Sequence, residues 1–294
     1  MPLLGEGVAA IWHNVAPEVQ DDYNHWHCYE HVPERVGIKG FLRGRRYVAI
    51  EGEPEFFHFY ETETVATLTS EAYLTRLNNP TPWTRRVGPT LKNNNRTLSE
   101  VISSHGKGVG AAILTIRIGA ADNREDEFFN WISNEIFPGL VSRPGIVAAH
   151  LIKGDHSASE KQTEEKAMRD KPDEIADWII FIEGIEVAPL NHLWRNGVMS
   201  EAALIEHGAR TADTGTYKLH FALSSEDLEQ EPTNSHIIFL TFLFGFLSTL
   251  FAPFAYHDEP EGNWQPFGPH SISPFSTNRP LWKDPALPQI HPKT

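Results

Sequence analysis

Apolar and polar positions follow one another along this chain in an order that occurs twice. After Gly7 the sequence reads Val-Ala-Ala-Ile-Trp-His-Asn-Val, a β run ending at Val15. Pro17 suits a first helical turn, and Glu18, Asp21 and Asp22 suit the positive end of a helix dipole. The spacing predicts a helix to about Val32. Pro33 cannot bond back to Tyr29, so the last turn is expected to tighten or bend. Strands are predicted over residues 41–50 and 56–64, joined by a Gly-Glu-Pro turn at 52–54 into an antiparallel hairpin. A helix capped by Ser70 or Thr69 runs to Leu77, Pro80 and Pro82 break it, and a last β run covers 97–103. The order β-α-β-β-α-β is that of the ferredoxin-like split unit.

The second half repeats it. Setting Trp26 on Trp131, an offset of 105, places Glu30 on Glu135, Pro33 on Pro138, Gly40 on Gly145 and Phe41 on Ile146 without a gap. Further on, Phe59 meets Phe181 and Glu61 meets Glu183 at an offset of 122. Residues 155–174, polar and rich in Lys and Glu, absorb the difference and read as an exposed loop or short helix. A strand over 178–185, a helix around 188–207 and a strand over 216–222 complete the second unit. A sheet with helices on one face must bury its other face. The expected fold is therefore α+β, with two ferredoxin-like repeats forming a single-chain α+β barrel. The divisions are residues 1–106, a degenerate copy at 107–227, and an irregular extension at 228–294. Within that extension, residues 237–255 carry no charge and approach the length of a membrane span. Gly245, Ser248, Thr249 and Pro253 favour a buried or interface element instead. The Pro-rich remainder, with Trp264, Phe267, Phe275 and Trp282, reads as a tail clamped by its aromatics.

Composition narrows the function. A chain of 294 residues has 40% apolar and 22% charged residues, as ordinary soluble domains do. Its net charge of −14 argues against a groove that tracks phosphates, so no nucleic-acid partner is expected. The single cysteine, Cys28, excludes an intrachain disulfide. The N-terminus lacks the pattern of an export signal, which makes the cytoplasm the expected location.

Candidate chemistry concentrates in residues 21–35, where His25, His27 and His31 lie among acids on one short helix. In the second copy these histidines become Asn130, Ile132 and Ile136, while Trp, Glu, Pro and Gly persist. Residues kept in both copies are architectural; those polar only in the first are candidates for function. That demotes Glu30 and promotes His27 and His31, one turn apart on one face. A neutral imidazole can accept and return a proton near neutral pH. His27-Cys-Tyr-Glu30-His31 also matches H-x-x-E-H, but Pro33 ends the helix early and no later helix offers a third ligand, so no metal is expected. Arg43 and Arg45 should share one face of their strand and Arg46 the other. An inward arginine could bind a substrate carboxylate, and pairing with Glu51 or Glu53 is the plainer alternative. His13, and His58 with it, could face the same cavity, and Tyr47, Tyr60 and Trp83 are expected as cavity wall or core.

The run Trp26-x3-Glu30-His31-x-Pro33-Glu34-Arg35, followed by Gly37, Gly40, Phe41, Arg43, Arg46 and Tyr47, resembles the dimeric α+β barrel superfamily. More remotely it resembles methylmuconolactone isomerases and the ethyl tert-butyl ether degradation family. The resemblance covers about residues 7–105, with 108–222 as a worn copy. It implies a cavity between helix and sheet, cofactor-free chemistry on a small molecule, and His31 as acid or base. The expected activity is that of an isomerase, cyclase or lyase acting on an aromatic or oxygenated molecule. The catalytic residues are then His31 and His27, and the substrate-binding ones Arg43, Arg45, His13, Tyr47, Tyr60 and Trp83. The rivals are a haem enzyme of the same superfamily, with His27, His31, His192 or His207 on the iron, and a carrier without catalysis. A homodimer and a membrane contact through 237–255 stay open as partners.

Overall fold

In the computed structural model eight antiparallel strands close into one barrel. The structure describes residues 3–120, 123–169 and 171–229. The apolar run at 237–255 and the aromatic tail lie outside the described residues. Among the described residues no helix is long and apolar enough to cross a membrane.

The strands are β1 (Gly7–Val15), β2 (Phe41–Gly52), β3 (Phe56–Thr62), β4 (Leu91–Gly106), β5 (Ala112–Ala120), β6 (Ile146–Gly154), β7 (Trp178–Gly184) and β8 (Ala209–Ser224). Around the barrel they run β1-β3-β2-β8-β5-β7-β6-β4, and β4 returns to β1. Each half supplies a sheet in ferredoxin-like order, and the two sheets join edge to edge at β2–β8 and β4–β6. Closure removes the open edges that each four-stranded sheet would leave alone. The registers repeat as well: Ala10 pairs with Phe59 as Thr115 pairs with Phe181. Strands run longer than the sequence suggests, because barrel pairing recruits polar residues at their ends. β4 begins at Leu91 rather than Thr97, and β8 spans Ala209–Ser224. The single helix expected around 188–207 is two, Val187–Asn196 and Glu201–Glu206.

Alternation sorts the side chains into an interior and an outer face. Val8, Ala10, Trp12, Tyr47, Phe57, Phe59, Ile113, Phe181 and Tyr217 form the apolar interior. On the outer face of the first half, Ile11 and Tyr60 pack with Val32 and Val36 of the first helical run. The second half packs Leu114, Ile116, Ile132 and Ile180 in the corresponding layer.

The first helical run differs from expectation in one respect. It continues through Gln20–Trp26, His27–His31 and Val32–Val36, and its middle segment is a widened π turn. Pro33 therefore loosens the preceding turn instead of tightening it. Its ring would clash with the Tyr29 carbonyl, and a wider turn relieves that clash. The same widening recurs at Trp131–Ile136 ahead of Pro138. Gly40 and Gly145 both adopt left-handed backbone, at φ 90° and 87°, where each run turns into a strand.

The barrel interior also holds a buried ionic cluster. Arg45 donates to Glu61 at 3.0 Å and to Glu183 at 2.9 Å, and all three side chains are essentially inaccessible. Arg43 grips Glu61 with two bonds of 2.8 Å. The backbone N–H of Leu4 donates to Glu61, and that of Gly110 to Glu183, each at 2.8 Å. Burial alone would raise the Glu183 carboxyl, but Arg45, His150 and the Gly110 N–H outweigh it and hold its pKa at about 2. Arg43 and Arg45 do share a face, as the strand period requires. Their partners, however, are Glu61 and Glu183; Glu51 pairs with Arg195 instead.

Arg45→Met should cost about 3–5 kcal/mol in urea unfolding, since it leaves the buried Glu183 carboxylate without its arginine while Glu61 keeps only Arg43. The folded pKa of Glu183 lies below its unfolded value near 4.5, so its stabilisation is complete above pH 4.5 and is lost as pH falls towards 2. Unfolding midpoints measured between pH 5 and 3 should fall in the wild type and fall less steeply in Glu183→Gln.

Candidate functional site

The π turn of the first helical run lies across the outer face of β1 and β3, and that contact gathers four histidines. His27 and His31 come from the turn, with ring centroids 5.4 Å apart. His58, on the outer face of β3, meets His27 edge-on at 4.5 Å. His13, on β1, lies 5.3 Å from His58 and shares a 2.9 Å hydrogen bond with the Tyr23 hydroxyl. The strand register dictates this meeting. Ile11 stands opposite His58 and His13 opposite Phe56, so the two imidazoles are diagonal neighbours on one face.

These rings border a cavity of about 50 Å³ walled by Ile11, Trp26, Tyr60 and Thr84. That volume admits a few water-sized groups. It has no room for a haem macrocycle, and neither His192 nor His207 borders it: His207 stacks on Trp131 in the second half. Burial pushes His27, His31 and His58 well below the ordinary imidazole pKa, and His13 down to about 3. All four are therefore neutral at working pH. Burial likewise keeps the Tyr60 phenol protonated. Both nitrogens of His27, Nδ1 of His13, His31 and His58, and the Tyr60 hydroxyl find no hydrogen-bond partner among the described residues.

The second repeat supplies an internal comparison. By strand register and helix offset, the positions of His13, His27, His31 and His58 are taken by Ile118, Ile132, Ile136 and Ile180. Those isoleucines pack as ordinary core. The same backbone thus folds with apolar side chains at all four places.

One wall of the cavity was not legible. Residues 155–174, expected as an exposed loop or short helix, fold back over the first half. They carry two short helices, His156–Ser159 and Glu164–Ala167, capped by Asp155 and Thr163. Ser159 accepts from the Leu98 N–H at 2.9 Å, and the chain around Glu174 bonds to Asn94 and Arg96. Thr163, Glu165, Lys166, Met168 and Arg169 then border the histidine cavity. Glu165 pairs with Arg35, which is 1% exposed, and Arg169 pairs with Asp173. Composition alone marked this stretch as solvated. Glu165 is satisfied instead by a buried arginine of the other repeat, a pairing that has no local signature.

The remaining expectations divide by sheet face. His13, His27, His31 and Tyr60 come together at the cavity. Arg43, Arg45 and Tyr47 do not, because they project into the barrel interior on the opposite face of the sheet. The Arg43 and Arg45 donors are engaged by Glu61 and Glu183, and the Tyr47 hydroxyl accepts from Arg45 at 3.2 Å. Trp83 is not at the cavity either; its indole N–H donates to Asp22 at 2.9 Å beside Arg86. Arg46, on the outer face, bonds to Asn24 and His220 and lies 3.8 Å from the Cys28 sulfur. Glu30 accepts from Thr81 at 2.6 Å, in keeping with an architectural role.

No protein-family profile matches the chain, and no curated protein matches it. Solved structures do. An anthrone oxidase-like protein superposes with a TM-score of 0.52 at 13% identity, over 74% of this chain and 92% of that one. A candidate monooxygenase from Fusobacterium nucleatum gives 0.49 at 12%, over 76% and 96%. A ferredoxin-fold protein from Listeria monocytogenes related to antibiotic biosynthesis monooxygenases gives 0.39 at 10%, over 74% and 97%. At such identities the likeness is one of fold: an α+β barrel of two ferredoxin-like repeats.

Glu165→Ala should leave Arg35 short of its counter-charge and loosen the cover. Carbethoxylation of His31 by diethylpyrocarbonate, followed by mass spectrometry, should then accelerate several-fold over the wild type. An unchanged rate would show that the cover does not limit access.

Proposed function

We propose that this chain is an enzyme that moves a proton on a small oxygenated or aromatic organic molecule, as an isomerase, cyclase or lyase does. The observation that carries the reading is the set of buried, neutral, unpartnered imidazoles around one cavity, at positions where the second repeat has isoleucine. An unpartnered imidazole nitrogen can take a proton directly. His31 is the more open of the two helix histidines and serves as the base; His27, fully buried behind it, sets its environment. The Tyr60 hydroxyl offers a donor to an oxygen of the substrate. The cavity admits only the reacting end of such a molecule, the remainder lying along the rim formed by Lys166 and Met168. The resemblance of residues 26–47 to methylmuconolactone isomerases supports the same reading, and the fold shared with an anthrone oxidase-like protein is consistent with a small-molecule enzyme without favouring this reaction. A non-catalytic carrier is the second reading, favoured by how closed the cavity is.

The test is solvent exchange. Small enolisable lactones, ketones and hydroxyaromatics are incubated in D₂O with the protein, and deuterium incorporation at carbon is followed by NMR. The wild type should exchange at least one class faster than buffer, and His31→Ile should lower kcat/KM by about 10²–10⁴-fold. The reading fails if no class exchanges, or if His31→Ile exchanges as fast as the wild type.

A further inference from the structure

We infer that His27, His31 and His58 form a three-imidazole site for a divalent transition-metal ion of the zinc type. One nitrogen from each ring approaches a common point, and the three lie within 4.8 Å of one another. Both nitrogens of His27, and Nδ1 of His31 and of His58, are buried without a partner among the described residues. Each buried polar atom left so costs about 1–3 kcal/mol. The fold itself does not demand that cost, since Ile132, Ile136 and Ile180 fill the equivalent places in the second repeat. A ligand that accepts several imidazole lone pairs at one point offsets it, and a metal cation is the simplest group that does so.

The donor set selects the metal. Three imidazoles without thiolate or carboxylate suit zinc and its neighbours in the late first row, and not magnesium or calcium. Cys28 is no competitor, since its sulfur is turned to Arg46. A metal–nitrogen bond of about 2.0–2.1 Å in tetrahedral geometry separates ligand nitrogens by about 3.3 Å, so nitrogens now within 4.8 Å of one another must draw together by up to about 1.5 Å. Small χ rotations into the cavity between them accomplish this. Three protein ligands leave a fourth position facing the cavity, the pattern of catalytic rather than structural sites. Of the charges nearby, Arg35 and Arg169 are matched by Glu165 and Asp173, while Arg46, bonded to Asn24 and His220, adds a positive charge that the site must tolerate. The sequence offered only His27 and His31, because the third donor sits on a strand and not on a second helix.

This inference goes beyond the proton-transfer reading and does not rest on it. With an ion bound, the lone pairs of the three imidazoles are committed to it, and loss of His31 acts through the metal. Without one, His31 is the base.

The test uses the full chain, stripped with a chelator and desalted. It is incubated with zinc, or with cobalt(II) as a visible stand-in, and passed through gel filtration before metal is measured by mass spectrometry. The wild type should retain one ion per chain and, with cobalt, show the intense visible bands of a low-symmetry nitrogen site. His58→Ile copies the second repeat and so keeps the fold, which circular dichroism checks. It should weaken binding by about 100-fold or more, since even an outer-shell partner is worth 10–100-fold. His25→Ala removes an exposed histidine of the same helix and should bind as the wild type does. The inference is overturned if the wild type retains no more metal than background, or if His58→Ile binds as tightly as the wild type. Loss of exchange activity in His31→Ile by a protein that takes up no metal would uphold the proton-transfer reading and overturn this one.

Discussion

Arg45 lies between two carboxylates that the internal repeat makes unavoidable. Glu61 and Glu183 end equivalent strands, and closing the barrel brings both into the same dry interior beside one guanidinium. Like charges so placed repel strongly at low effective dielectric, and each is costly to bury alone. One arginine bonded to both converts the conflict into a tie between the halves. The repeat therefore cannot be symmetric at this point. The residue equivalent to Arg45 is His150, which approaches Glu183 at 3.4 Å and meets Ser104 through its other nitrogen. An arginine there would be the third beside two carboxylates, Arg43 and Arg45 already matching Glu61 and Glu183.

This ionic tie, together with the stacked rings of Trp12, Tyr47, Phe57 and Phe59, fills the barrel. The histidine cavity accordingly lies on the other face of the sheet, between strands and helical run. There the two halves diverge without any change of backbone. The first half carries four histidines and the second four isoleucines on matching registers, under matching π turns. The widened turn is common to both and so belongs to the architecture, while the imidazoles belong to the first half alone. Pro33 and Pro138 fix that turn, and with it the distance at which residues 27 and 31 meet the strand.

Much of this was legible because it is periodic. The repeat, the element order and the barrel follow from alternation, Gly and Pro punctuation and two offsets, all local or self-similar signals. His27 and His31 stood out for the same reason, since a second copy showed what the position looks like without them. Reading failed where side-chain direction depends on long-range closure. The face of β2 that carries Arg43 and Arg45 could be told from its period, but not that this face is the sealed interior. The role of residues 155–174 was invisible for a related reason: a Lys- and Glu-rich stretch looks solvated until its partner, a buried Arg35 from 130 residues away, is known.

That partnership bears on how the cavity is reached. Arg35 is almost fully buried, and its counter-charges are Glu34 on its own helix and Glu165 on the cover. Lifting the cover separates Glu165 from Arg35 and must hydrate both before either is stable apart. The cover is pinned to β4 as well, through Ser159 and through the backbone around Glu174. Between those two anchors, Thr163 to Arg169 are held to the first half by the Glu165–Arg35 pair and by the Glu164 N–H, which donates to Asn78 at 3.1 Å. The imidazoles are thus covered by a strap that an ion pair ties down near its middle. The first repeat holds the four imidazoles and the insertion of the second lies over them, so both halves wall the cavity.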